Sequence, residues 1–133
     1  MFAYYLELAL RSLKRVLAAD DDPSIQSILR LMFDTNGIEA AIAPDASSAL
    51  KIWTENEGRF DLLITDVVMP NGYSGIELAR ALRQRDAELK VILMTGYSSD
   101  LLKPDRLVMP GKPPHVLFKP FDRAEILKAI AAA

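Results

Sequence analysis

The chain has 133 residues, 50% of them hydrophobic and 26% charged, the composition of one globular domain with its own core. A formal net charge of −2 offers no basic face for nucleic acid, and the absence of cysteine excludes disulfides and thiolate metal sites. The apolar run Phe2 to Leu10 is far short of the roughly 20 residues that cross a bilayer. Arg11, Lys14 and Arg15 follow that run, whereas a secretory signal carries its positive charges in front. The expectation is a cytoplasmic protein with no membrane insertion and no nucleic-acid partner.

Residues 2–13 place Phe2, Tyr5, Leu6, Ala9 and Leu13 at helical spacing. This helix reads as a dimerising or linking element, as a short arm folded onto its own domain, or as an appended remnant, and all three stay open. Arg15 to Ala19 is a short apolar strand running into Asp20-Asp21-Asp22-Pro23. Asp22 before Pro23 is a helix start: a capping oxygen, then a residue whose missing N–H is not needed at the first helical position. Ile25, Ile28, Leu29 and Met32 form one face of that helix, which stops at Asn36-Gly37. Ile38 to Ala43 is the second strand. Asp45 then caps a helix with Ala46, Ala49, Leu50 and Trp53 inward, which makes Trp53 a core residue.

Leu62 to Thr65 is a third buried strand, ending in Asp66 and followed by a turn at Pro70-Asn71-Gly72-Tyr73. Ser74 and Glu77 have the spacing of a capping box for a helix burying Leu78, Ala79 and Leu82. Lys90 to Gly96 is the fourth strand, and residues 97–103 have room for one or two helical turns. Pro104, Pro110, Pro113 and Pro114 end any helix there, since each lacks a donor and disfavours helix in the residue before it. His115 to Pro120 is the fifth strand, with His115 in or beside its start and treated as a loop residue. Asp122 and Glu125 open a last helix with Leu127 and Ile130 inward.

Strands alternating with helices predict an α/β fold: a flavodoxin-like, doubly wound, five-stranded parallel sheet of order 2-1-3-4-5. The fourth helix is shortened and an extra helix precedes the first strand, giving an arm over 1–14 and a domain over 15–133. In such a sheet the ends of the strands lie on one edge, where ligands bind. Asp20, Asp21, Asp66, Thr95 and Lys119 are therefore brought together. Three carboxylates about 4 Å apart repel by on the order of 4 kcal/mol per pair at an effective dielectric near 20. One lysine cannot cancel them, so the site calls for a hard divalent cation, Mg²⁺ above all, or for one carboxyl group to stay protonated. A cation flanked by Lys119 and the Thr95 hydroxyl suits a phosphoryl group, with Asp66 as the in-line nucleophile.

Val16 to Asp21, Asp61 to Pro70, Met94-Thr95-Gly96 and Lys119-Pro120-Phe121 resemble, in order and spacing, the receiver domain of two-component response regulators. The resemblance runs from about Arg15 to the end of the chain. It implies that Asp66 accepts a phosphoryl group from a partner histidine kinase or histidine phosphotransfer protein. It implies Mg²⁺ held by Asp21, Asp66 and the backbone carbonyl of Val68, with Asp20 acting through a water. Lys119 then binds phosphoryl oxygens, Thr95 bonds the phosphorylated form, and Lys119-Pro120 is cis. Output passes by contact to a downstream protein target or to a further module, and a homodimer is one form the family allows. Two departures stand out: Val116 occupies the position of an aromatic switch, and the helix before the fifth strand is broken at Pro104. They suggest retained chemistry with a different signalling surface. Apolar Val68 and Tyr97 beside the site, neither able to activate water, imply slow self-dephosphorylation.

Two other functions compete. A haloacid-dehalogenase-type phosphatase needs a second acid two residues after the nucleophile, where Val68 stands. A receiver-like binding module that works without phosphorylation is opposed by the intact acidic set and favoured by Val116 and the broken helix. His115, the only histidine, sits beside a strand and is no phosphohistidine donor, so the kinase is a separate module.

Overall fold

The computed structural model describes residues 2–70, 74–96 and 102–133, with the backbone alone for Phe2 and Ala3. Helix α1 (Phe2–Arg11) precedes β1 (Arg15–Ala19), α2 (Pro23–Thr35), β2 (Glu39–Ala43), α3 (Ala46–Glu55), β3 (Leu62–Asp66), α4 (Gly75–Arg85) and β4 (Lys90–Thr95). A 3₁₀ turn (Pro104–Arg106) follows, then β5 (His115–Phe118) and α5 (Arg123–Ala132). The five strands are parallel in the order β2-β1-β3-β4-β5. This is the doubly wound sheet read from the alternation of elements, and its connections leave β1 and β3 adjacent at the centre. Leu62, Leu63 and Ile64 of β3 are fully buried, as a strand covered on both faces must be.

Each face of the sheet has its own apolar layer. Leu29, Met32 and Phe33 of α2 and Ile126, Leu127, Ala129 and Ile130 of α5 cover one face with Val16, Ile64 and Met94. Trp53 of α3 and Leu78 and Leu82 of α4 cover the other with Leu17, Leu63 and Leu93. Trp53 stacks on Phe60 at 5.8 Å, so it is a core residue as its place on the helix suggested.

The helix starts follow the capping chemistry in the sequence. Asp22 accepts from the Ser24 N–H at 2.9 Å with Pro23 behind it, and Asp45 accepts from the Ser48 N–H at 2.7 Å. Asp122 and Glu125 form a complete capping box on α5. At α4 the Ser74 hydroxyl accepts from the Glu77 N–H at 3.1 Å.

Three expectations need correction. On α1, Tyr5 faces solvent at 60% exposure, and the buried stripe is Leu6, Leu10 and Leu13. Spacings of four and three residues carry one face of a helix along α5, and Tyr5 lies off that face. On α2, Ile28 is half exposed while Phe33 is buried, because the sheet-facing stripe runs through Leu29, Met32 and Phe33. His115 is the first residue of β5, paired with Ile92, and not a loop residue. Of the turn expected over 70–73, residues 71–73 lie outside the described residues, as do 97–101 of the helical turns expected over 97–103.

Helix α1 joins the core: Leu6, Leu10 and Leu13 belong to the layer under α5, and Glu7 pairs with Arg123 at 2.8 Å. Between β4 and β5, the described part of the connection is held from α4. Arg80 donates from Nη2 to the Arg106 carbonyl at 2.6 Å and from Nε to that of Val108 at 3.2 Å. Arg83, only 2% exposed, donates to the carbonyls of Leu89 (2.5 Å), Pro110 (2.8 Å) and Lys112. Gly111 lies in that loop at φ +84°, and a Cβ there would fall 2.1 Å from the Ala87 carbonyl oxygen.

Candidate functional site

Four strand ends meet at the carboxyl edge of the sheet. β1 delivers Asp20 and Asp21, β3 delivers Asp66 as its last residue, and β4 and β5 bring Thr95 and Lys119. The pairing of Ala19 with Thr65 puts Asp20 beside Asp66 in the register. The Lys119 N–H donates to the Thr95 carbonyl at 2.7 Å, continuing the β4–β5 ladder one step past β5. The Lys119-Pro120 peptide bond is cis.

Helix α4 also has to start in the right place. The Gly75 N–H donates to the Val67 carbonyl at 2.9 Å. A Cβ at Gly75 would lie 1.9 Å from the Asp66 carbonyl oxygen, so only glycine permits this close approach. Thr65 donates its hydroxyl to the same Asp66 carbonyl at 3.0 Å. Neither contact announces itself in the sequence as part of the site.

One carboxylate oxygen each from Asp20, Asp21 and Asp66 lies within 4.8 Å of the others. Asp20 is fully buried, Asp66 partly so, and Asp21 exposed. Lys119 Nζ sits 2.7 Å from Asp20 Oδ2 and 3.4 Å from Asp66 Oδ2, so its tighter partner is Asp20 rather than the strand-end Asp66. Burial pushes the Asp66 carboxyl above its ordinary range and the Asp20 charge adds to that, while Lys119 and the Val68 N–H pull it part of the way back. For Lys119, burial acts downward, but the bond to Asp20 and the charges of Asp20 and Asp66 outweigh it, so its pKa lies above the ordinary lysine value. The ammonium stays charged.

The donor set can be tested against a cation. Three carboxylates offer only hard oxygen ligands, and one lysine leaves the cluster with excess negative charge. Such a set fits a small hard divalent ion. Thr95 is buried at the rim of the same edge, Val68 is 54% exposed, and Tyr97 lies outside the described residues. Val116 is half buried on β5 opposite Leu93, two residues before Phe118, which is half exposed.

The sequence signature of the response regulator receiver domain matches residues 16–131. The chain belongs to the response regulator receiver family. The response regulator receiver protein CpdR of Brucella abortus is 33% identical over 118 residues, covering 89% of this chain and 94% of CpdR. The CAI-1 autoinducer sensor kinase/phosphatase CqsS of Vibrio cholerae is 32% identical over 120 residues, 90% of this chain but only 17% of that protein. Among solved structures, the chemotaxis protein CheY4 of Vibrio cholerae superposes with a TM-score of 0.77 at 28% identity, covering 90% of this receiver and 98% of CheY4. This receiver is a two-component signalling domain rather than an enzyme of the phosphatase type. Among the described residues, no helix is long and apolar enough to cross a membrane.

Proposed function

We propose that this receiver takes a phosphoryl group on Asp66 from the phosphohistidine of a partner kinase or histidine phosphotransfer protein, in a Mg²⁺-dependent reaction. The observation that carries it is Lys119 Nζ lying between Asp20 and Asp66, beside three carboxylates that share one small volume. Asp21, Asp66 and the Val68 carbonyl would hold the metal, with Asp20 reaching it through a water. When bound, Mg²⁺ supplies positive charge against the phosphoryl oxygens.

The rest falls to the chain's own groups. Asp66 attacks phosphorus, a P–O bond forms as the P–N bond of the donor breaks, and the departing imidazole nitrogen keeps the electron pair and takes a proton from water. Lys119 turns from its carboxylate partners to the incoming oxygens, keeping its charge throughout. Thr95 then bonds the phosphorylated group. The Val68 N–H lies near enough to the Asp66 carboxylate to favour its charged form. The cytoplasm, where nucleotide triphosphates charge such donors, is the compartment that goes with this reading, and the output is contact with a protein target.

A second reading, a receiver that recruits its partner without phosphorylation, draws on Val116 and on the clamped connection between β4 and β5. Incubation with Mg²⁺ and a small phosphodonor, followed by intact mass, separates the two. Gain of one phosphoryl group by the native chain and none by Asp66→Ala supports the transfer. No gain in either refutes it.

A further inference from the structure

Asp20 is held at four polar atoms. Its N–H donates to the Ala43 carbonyl of β2 at 3.0 Å, and its Oδ1 accepts the Asp22 N–H at 2.9 Å. Its Oδ2 accepts from Lys119 at 2.7 Å, and its carbonyl accepts from Gln26 Nε2 at 2.6 Å. The first three partners belong to the sheet, the turn and the site. Gln26 is different: it lies one turn inside α2, and its side chain reaches back past the cap Asp22 to the end of β1.

The Gln26 backbone N–H is already engaged with the Asp22 carbonyl at 3.0 Å, so the side-chain amide adds a separate tie. The carbonyl it grips is half of the peptide unit joining Asp20 to Asp21, which is planar and turns as one body. Holding that oxygen fixes the rotation of the plane, and with it the Cα of Asp21. Asp21 is exposed and Asp20 buried, so the relative placement of these two carboxylates depends on the short turn between them.

We propose that Gln26 is a positioning residue of the metal site, its amide holding the Asp20–Asp21 peptide so that both carboxylates keep the spacing a small cation requires. The proposal rests on the functional reading above. Mg²⁺ demands near-ideal octahedral geometry at 2.0–2.1 Å, whereas Ca²⁺ accepts looser arrangements at 2.3–2.6 Å. A loosened turn therefore penalises the smaller ion more.

The test uses the intact chain without phosphodonor. Mg²⁺ and Ca²⁺ affinities are read from amide chemical shifts, with melting temperature in chelator measured alongside. Gln26→Met keeps the length and removes the donor, and Gln26→Asn keeps the donor one methylene short. Both weaken Mg²⁺ binding by roughly three- to tenfold, the worth of one neutral hydrogen bond. Both weaken Ca²⁺ less and leave the melting temperature near native. Native Mg²⁺ affinity in the Met variant overturns the proposal, as does an equal loss for both ions together with a lowered melting temperature, which marks a merely structural tie. If the native chain itself binds no Mg²⁺, the functional reading falls instead.

Discussion

Asp66→Asn tests the electrostatics on which the site depends. The Asp66 carboxylate lies within 4.8 Å of those of Asp20 and Asp21 and 3.4 Å from the Lys119 ammonium. At an effective dielectric near 20, the Asp20 repulsion comes to about 3.5 kcal/mol and the lysine attraction to about 5 kcal/mol. Asp21 faces solvent, which reduces its repulsion to about 1 kcal/mol. The charges nearly cancel, so partial burial decides the sign and holds the Asp66 pKa above the ordinary 3.8. Since the group is also partly in contact with water, the residual cost of its charge is small, on the order of 1 kcal/mol. Asparagine keeps the size and removes the charge, so in chelator the variant melts roughly 2–4 °C higher than the native chain.

The pH dependence carries the same sign. A carboxyl group with a raised folded pKa binds its proton more tightly in the folded chain, so stability is lost as pH climbs from about 3.8 through the folded value. The Asn variant lacks that segment of the curve. Mg²⁺ reverses the order of stability: a ligand held only by the folded state adds about 2.7 kcal/mol at a hundred times its dissociation constant. The Asn variant, with one anionic ligand fewer, gains less. Calorimetry of both chains with chelator and with Mg²⁺, across acid and neutral pH, reads all of this. An Asn variant less stable in chelator, or equal gains from Mg²⁺ in both chains, would refute the reasoning.

Other consequences concern the surrounding fold. Leu10→Ala empties a fully buried position between α1 and α5, and should cost about 2–5 kcal/mol in one cooperative denaturant transition. A change below about 0.5 kcal/mol would make α1 a surface arm after all. Arg83→Met leaves the buried Leu89 carbonyl and the partly buried carbonyls of Pro110 and Lys112 without their donor, and should cost about 2–4 kcal/mol. Hydrogen exchange then speeds up over residues 107–112, whereas unchanged exchange there would show that the loop does not depend on the clamp. Val68 is an exposed aliphatic side chain that cannot act as a base, so phosphorylated Asp66 should decay slowly. Fast Mg²⁺-dependent loss of the added mass would contradict that.

The sequence announced most of the site because its residues obey local rules. Each acid follows an apolar strand and precedes a turn or cap, so β1 and β3 could be placed, and parallel topology then forced Asp20, Asp21 and Asp66 onto one edge. Gln26 and Arg83 were not legible. A glutamine in the first turn of a helix and an arginine in a helix with an exposed face look like solvated residues. The partners of both are main-chain carbonyls, which have no sequence signal. Leu10 was missed for a related reason: the helical pattern over 2–13 is consistent with more than one buried stripe, and only the position of α5 selects between them.

By itself the sequence determined the order of the strands, the edge on which the acids gather and the chemistry that edge favours. Periodicity, capping residues and chain connectivity are local or topological constraints, and they act before any side chain meets another. The tertiary structure decided that Lys119 sits closer to Asp20 than to Asp66, that α1 lies against α5, and that two arginines of α4 hold the loop before β5. Those outcomes come from contacts between segments distant in the chain, where distance and burial set the balance of forces.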